Sequence, residues 1–180
     1  MNILTGSTMK WKETISRYFE AYIKVSPEVS KYFLKKRFNT ETVGIHLAIF
    51  NEPFLSLLVN GTKTIESRFS MNKVSPYDKV FNGDIVFIKK SGGPITGYFI
   101  VRKTHFYTPL TLKERAEIKK RFSKGICSNA VSDFWSSRSS KKYISLLETS
   151  SVKKIPPVSI SKKDRMAWVV IRSADQNVLF

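Results

Sequence analysis

A chain of 180 residues suits one domain with an appendage, and 42% hydrophobic content is enough for a buried core. Lys and Arg number 31 against 14 Asp and Glu, and the resulting +17 calls for an anionic partner, nucleic acid first and an anionic membrane surface second. The single cysteine, Cys127, excludes an internal disulfide, and no run approaches the roughly 20 apolar residues that span a bilayer. No signal-peptide core opens the chain, so a cytoplasmic protein is expected. With 2 histidines, neither close to Cys127 in sequence, no metal site and no cofactor are expected, and Cys127 is assigned to packing.

Residues 1–8 are small and polar and read as an unstructured lead. From Met9 to about Lys24 the residues Trp11, Ile15, Tyr18, Phe19 and Tyr22 recur at helical spacing. Ser26-Pro27-Glu28 restarts a helix toward Arg37, with Val29, Tyr32, Phe33 and Phe38 as its apolar face. This pair is expected to cover one side of the domain, leaving Lys35-Lys36-Arg37 free for phosphates.

Residues 43–69 carry the chemistry. A strand Val43–Phe50 alternates Ile45, Leu47 and Ile49 with Gly44, His46 and Ala48. Glu52-Pro53 opens a short helix with an apolar stripe of Phe54, Leu57 and Leu58, which Asn60-Gly61 closes. A strand then begins at Thr62. Strand alternation places Ile65 and Phe69 on the core face and Thr64, Glu66 and Arg68 outward, with Lys63 at the turn. Charges of both signs at one helix end supply donors, an acceptor and a proton-transfer pair, or simply neutralise each other.

A long polar loop, 70–82, leads to a strand Asp84–Lys90 that is apolar on both faces. The turn Lys89–Pro94 exposes backbone amides, and the strand Ile95–Tyr107 needs a bend at Gly97 or a bulge. Thr111 and Glu114 form a capping box for a basic helix, Leu112 to about Ser123, ended by Lys124-Gly125. Residues 129–135 fit a short helix and 136–142 a polar loop. A strand Tyr143–Ile155, a loop Pro156–Arg165, a strand Met166–Arg172 with Trp168, and a loose tail complete the chain. Five or more strands in irregular order with helices fit a small barrel-like α+β domain.

Gly61-Thr62-Lys63-Thr64-Ile65-Glu66-Ser67-Arg68 fits the pattern G-x-K-x-x-E-x-R. With the preceding PFLSLLVNG and the strands Asn82–Ile88 and Gly97–Val101, it resembles the ASCH domain family, a branch of the PUA-like superfamily that includes YTH and EVE domains. The likeness spans residues 43–172, leaving an N-terminal helical extension, 1–42, and a tail, 173–180. It implies a PUA-like small β-barrel flanked by helices. It also implies a basic cleft for RNA, ahead of DNA, or for a modified nucleotide, formed by Lys63, Glu66, Arg68, Lys89, Lys90, Tyr107 and Arg138. Trp135, Phe69, Tyr107 and Trp168 are its aromatic candidates.

Two other readings stay open. In hydrolysis of RNA or of an acylated nucleoside, Lys63 and Glu66 would be catalytic. Lys63 matches the lysine of the family's amidohydrolases, whereas Glu66 stands where they carry a threonine. The other reading is a protein-interaction module, which calls for an exposed apolar patch on the first helix.

Overall fold

The computed structural model describes residues 5–36, 39, 41–108 and 111–174. Among these residues seven strands lie in one sheet: β1 Ile45–Phe50, β2 Ile65–Ser70, β3 Ile85–Lys90, β4 Ile95–Tyr107, β5 Tyr143–Thr149, β6 Lys153–Val158 and β7 Trp168–Arg172. Their order is β2-β5-β4-β3-β1-β7, with β6 paired to β4. β1 and β3 run parallel, and the remaining pairs are antiparallel. Among the described residues four α-helices flank the sheet: α1 Thr5–Tyr18, α2 Pro27–Lys36, α3 Phe54–Val59 and α4 Leu112–Ile126.

β4 curls the sheet into a half-barrel. Its first half pairs with β3 and β6 and its second half with β5, and its register shifts between Ile95 and Gly97 and again between Val101 and Lys103. The expected bend is therefore present. Curling gives β3 apolar neighbours on both sides. Ile85 and Phe87 pack under the N-terminal helices, while Val86 and Ile88 face the inside of the curl with Phe50, Leu55, Leu58, Phe99 and Trp168. A third cluster joins α4 to β2 and β5 through Ile118, Phe122, Ile126, Ile65 and Phe69. This is the mixed α+β half-barrel flanked by helices that the sequence implied.

The N-terminal helices belong to the core. Trp11, Ile15, Phe19 and Ile23 recur every fourth residue, a spacing that drifts around a helix of 3.6 residues per turn. A wider π turn over Phe19–Ile23, in which Lys24 N donates to Phe19 O at 2.9 Å, restores the face. Ile23 is buried as a result, and Tyr22, expected on the stripe, is 64% exposed. The helix also starts earlier than its small polar residues suggest, at Thr5. Residues 1–4, Arg37, Phe38 and the tail from 175 lie outside the described residues.

Two further boundaries differ from expectation. The strand expected over Tyr143–Ile155 is two strands, separated where Ser150 Oγ accepts from Ile100 N at 2.9 Å and Ser150 N donates to Ile100 O at 2.9 Å. Pro156 and Pro157 lie in β6 instead of a loop, on a strand that pairs with β4 alone and so tolerates missing donors. Residues 128–138 form two short 3₁₀ turns, Ser128–Ala130 and Ser136–Arg138. No described helix is long and apolar enough to cross a membrane.

Candidate functional site

The site grows from the turn between α3 and β2. Glu52 caps α3 by accepting from Ser56 N at 3.1 Å and Ser56 Oγ at 2.8 Å. Leu55 and Leu58 are buried beneath the helix, whereas Leu57, expected on the stripe, is only half-buried. Gly61 takes φ +83°, and the chain doubles back so that Lys63 N donates to Leu57 O at 2.8 Å. Strand pairing begins at Ile65, three residues later than expected, because Thr64 is held from two sides. Its N–H reaches Gly125 O at 2.9 Å, and its carbonyl accepts from Thr149 N at 3.0 Å.

Gly125 is the unexpected part. The sequence pattern ends α4 at Lys124-Gly125, yet the helix runs on to Ile126 and closes at Cys127 with φ 59°. A Cβ at Gly125 would stand 2.7 Å from Ile65 Cδ1, so glycine is what lets the helix end meet β2. That approach delivers the Ile126 carbonyl to Lys63.

Lys63 is 2% exposed. Its Nζ donates to Ile65 O at 2.5 Å and Ile126 O at 3.2 Å, and lies 3.4 Å from Glu66 Oε2. Burial holds its pKa below the usual lysine range, opposed by the Glu66 carboxylate. Glu66, expected to face outward, is 3% exposed, because the curl of the sheet covers the face opposite Ile65 and Phe69. Its Oε1 accepts from Arg68 Nε at 2.6 Å. Arg68 Nη2 reaches Ile49 O at 2.9 Å, and its guanidinium lies 5.2 Å from the Phe50 ring and 5.5 Å from the Trp168 ring.

Behind Trp168 lies a buried network that sequence reasoning missed. Trp168 Nε1 donates to His46 Nδ1 at 3.4 Å, which leaves the proton on Nε2, facing Asp84 Oδ2 at 2.9 Å. Asp84 also accepts from Gly44 N at 2.6 Å and Phe81 N at 2.8 Å. A histidine within an apolar strand and an aspartate opening a strand apolar on both faces need partners once buried. That signal was present. The parallel pairing of β1 with β3 that unites them was not.

Above the motif opens a cleft of about 400 Å³. Lys63, Glu66 and Arg68 form its floor, Phe54, Phe69 and Phe134 its walls, and Arg138 and Lys141 its cationic edge. Arg138 stacks 4.1 Å from the Phe134 ring and donates to Phe134 O at 2.8 Å, while Arg115 of α4 holds the Lys141 carbonyl. Thus four expected site residues, Lys63, Glu66, Arg68 and Arg138, meet here.

The other three do not. Lys89 lines a second depression of about 410 Å³ next door, walled by Ser91 and Gly92 of the 91–94 turn. Lys90 is exposed on the β3–β4 hairpin and lines neither depression. Tyr107 packs 6.2 Å from Phe122 in the α4 cluster, away from the cleft. Of the aromatic candidates, Phe69 lines the cleft and Trp168 lies buried beneath Arg68. Trp135 turns away and donates Nε1 to Ser123 Oγ at 3.1 Å. Phe54, Phe134, Asn51 and Lys141 also line the cleft and carry no site role in the sequence reading.

The model of the ASCH domain matches residues 49–158, more than half of the chain. No curated protein matched. Among solved structures, ASCH from Zymomonas mobilis is similar with a TM-score of 0.55 at 10% identity, covering 71% of this chain and 87% of that one. A serine-to-alanine variant of the same protein gives 0.55 at 11% identity, covering 71% and 88%, and a tyrosine-to-phenylalanine variant gives 0.53 at 10%, covering 71% and 90%. At such identities these structures speak for the fold alone. The match reaches from the end of β1 through the motif to β6, on a curled sheet shared with those structures: the chain belongs to the ASCH domain family.

Proposed function

We propose that this protein binds single-stranded nucleic acid, RNA ahead of DNA, by seating a nucleotide in the cleft above Lys63, Glu66 and Arg68. The observation that carries this reading is one cavity with a fixed polar floor, aromatic walls and an edge of cations that form no ion pair among the described residues. Its volume lies within the range of small-ligand pockets, about 300–1,000 Å³. Glu66 has lone pairs left to accept from an exocyclic amine. Arg68 has N–H groups beyond those given to Glu66, Ile49 and Ala167. A base stacked on Phe54 or Phe69, the half-buried rings of the cleft, gains about 1–3 kcal/mol, and Arg138 and Lys141 meet its phosphate.

Lys63 acts differently from the charge donor expected of it. Its ammonium protons point at Ile65 O, Ile126 O and Glu66, so it ties the end of α4 and the acid into one floor. The same commitment counts against hydrolysis by Lys63 and Glu66. The protein-interaction reading has less apolar surface on the first helix than it calls for, since Trp11, Ile15 and Phe19 are buried in the core and Tyr22 is exposed. We take the functional domain as residues 43–172, because β7 pairs with β1 and supplies Trp168 to the floor, with residues 1–42 as an extension and 173–180 as a tail.

Fluorescence anisotropy with labelled random-sequence RNA tests the reading. The affinity should fall linearly on a log scale with salt, and absent or salt-independent binding overturns it. The RNA is then recovered by electrophoresis. Intact RNA supports binding alone, and cleavage that disappears in Glu66→Gln would establish the hydrolase instead.

A further inference from the structure

The second depression, of about 410 Å³, shares Ile49, Asn51 and Arg68 with the motif cleft. Arg68 is thus a ridge between two cavities, and it faces both. The second cavity has its own chemistry. Lys89 is buried, its Nζ donates to Gly93 O and Lys90 O, and it forms no ion pair among the described residues. Lys162 has a side chain 4% exposed and pairs with Asp164 at 2.6 Å, leaving Asp164 with its one negative charge shared between that lysine and Met166 N at 2.9 Å. Arg165 is exposed at the same opening, and Met166, 56% exposed, offers an apolar surface beside it. Burial, and then the Lys162 charge, hold the Lys89 pKa down, so an anion placed here relieves a repulsion that the fold leaves standing.

We infer that the two depressions are consecutive subsites of one single-stranded oligonucleotide track. A nucleotide in the motif cleft is followed across Arg68 by a second one. Its phosphate meets Arg165 over the buried charges of Lys89 and Lys162, and its base rests on Met166. The inference rests on the nucleic-acid reading above and narrows it: the ligand is a strand of at least two nucleotides, and an isolated nucleotide fills half of the site.

The test titrates the full chain with a fluorescein-labelled random-sequence RNA hexamer, with an equimolar mixture of the ribonucleoside 5′-monophosphates as competitor. Arg165→Ala should weaken hexamer binding about tenfold and lower the salt slope by about one, with less than a twofold change in the monophosphate inhibition constant. If Arg165→Ala binds the hexamer as the unmodified protein does while Arg138→Ala loses affinity, the second subsite is wrong and the motif cleft stands. Equal losses for hexamer and monophosphates also overturn it, since the arginine then acts only through general charge. No hexamer binding by the unmodified chain removes both readings.

Discussion

The floor and the edge of the cleft are built from the same residue types and put to opposite uses. On the floor, Lys63, Glu66 and Arg68 are tied to one another and to the carbonyls of Ile49, Ile65 and Ile126. At the edge, Arg138 and Lys141 form no ion pair among the described residues and are half-buried, with Arg138 held by neutral partners, the Phe134 carbonyl and ring. A buried charge that loses its partner leaves a desolvated group behind, whereas a half-buried cation bonded to neutral groups leaves no charge unpaired when it is removed. The contrast teaches that the family motif chiefly builds the site, and in the proposed reading the residues outside it supply the salt-dependent part of the affinity.

Substitutions should separate the two regions. The largest effect is expected for Lys63→Met, which strips donors from two carbonyls and a partner from Glu66. Urea denaturation should show a loss of about 2–4 kcal/mol, and a loss under about 1 kcal/mol would mean that the floor is not held this way. Gly125→Ala comes next, at about 1–3 kcal/mol, because its methyl group would meet Ile65 Cδ1 at 2.7 Å and push α4 off β2. At the edge, the pair Arg138→Ala and Lys141→Ala should cost only about 1 kcal/mol, for the Phe134 contacts of Arg138, yet lower the slope of log affinity against log salt by about two. A fall in stability comparable to that of the floor variants would erase the distinction.

The smallest effect is a pH dependence. The Lys63 pKa in the fold is below its value in the unfolded chain, so between the two values the unfolded state binds the extra proton and stability rises with pH. The stability of the unmodified protein relative to Lys63→Met should therefore grow as pH climbs toward the ordinary lysine range near 10.5. A gap that shrinks with pH would reverse the sign.

The same division governs what was legible in the sequence. Local patterns gave β3, the full length of β4, the Thr111–Glu114 capping box and the Gly61 turn, because alternation, capping and left-handed turns are decided by near neighbours. Residues that act across the fold were misread. Gly125 looked like a helix stop and is a point of close approach. Glu66 looked solvated because strand alternation cannot report that a curled sheet covers both faces. Phe134 sits in a polar stretch and gained a role only when its turn folded over Phe54 and Phe69.

The most direct measurement is an NMR titration that follows the arginine Nε–H signals and backbone amides as random-sequence RNA is added. Shifts at Arg68, at Arg138 and along the 134–141 turn are the predicted result. Shifts confined to the basic faces of α4 or α2, with Arg68 and Arg138 unmoved, would contradict the account.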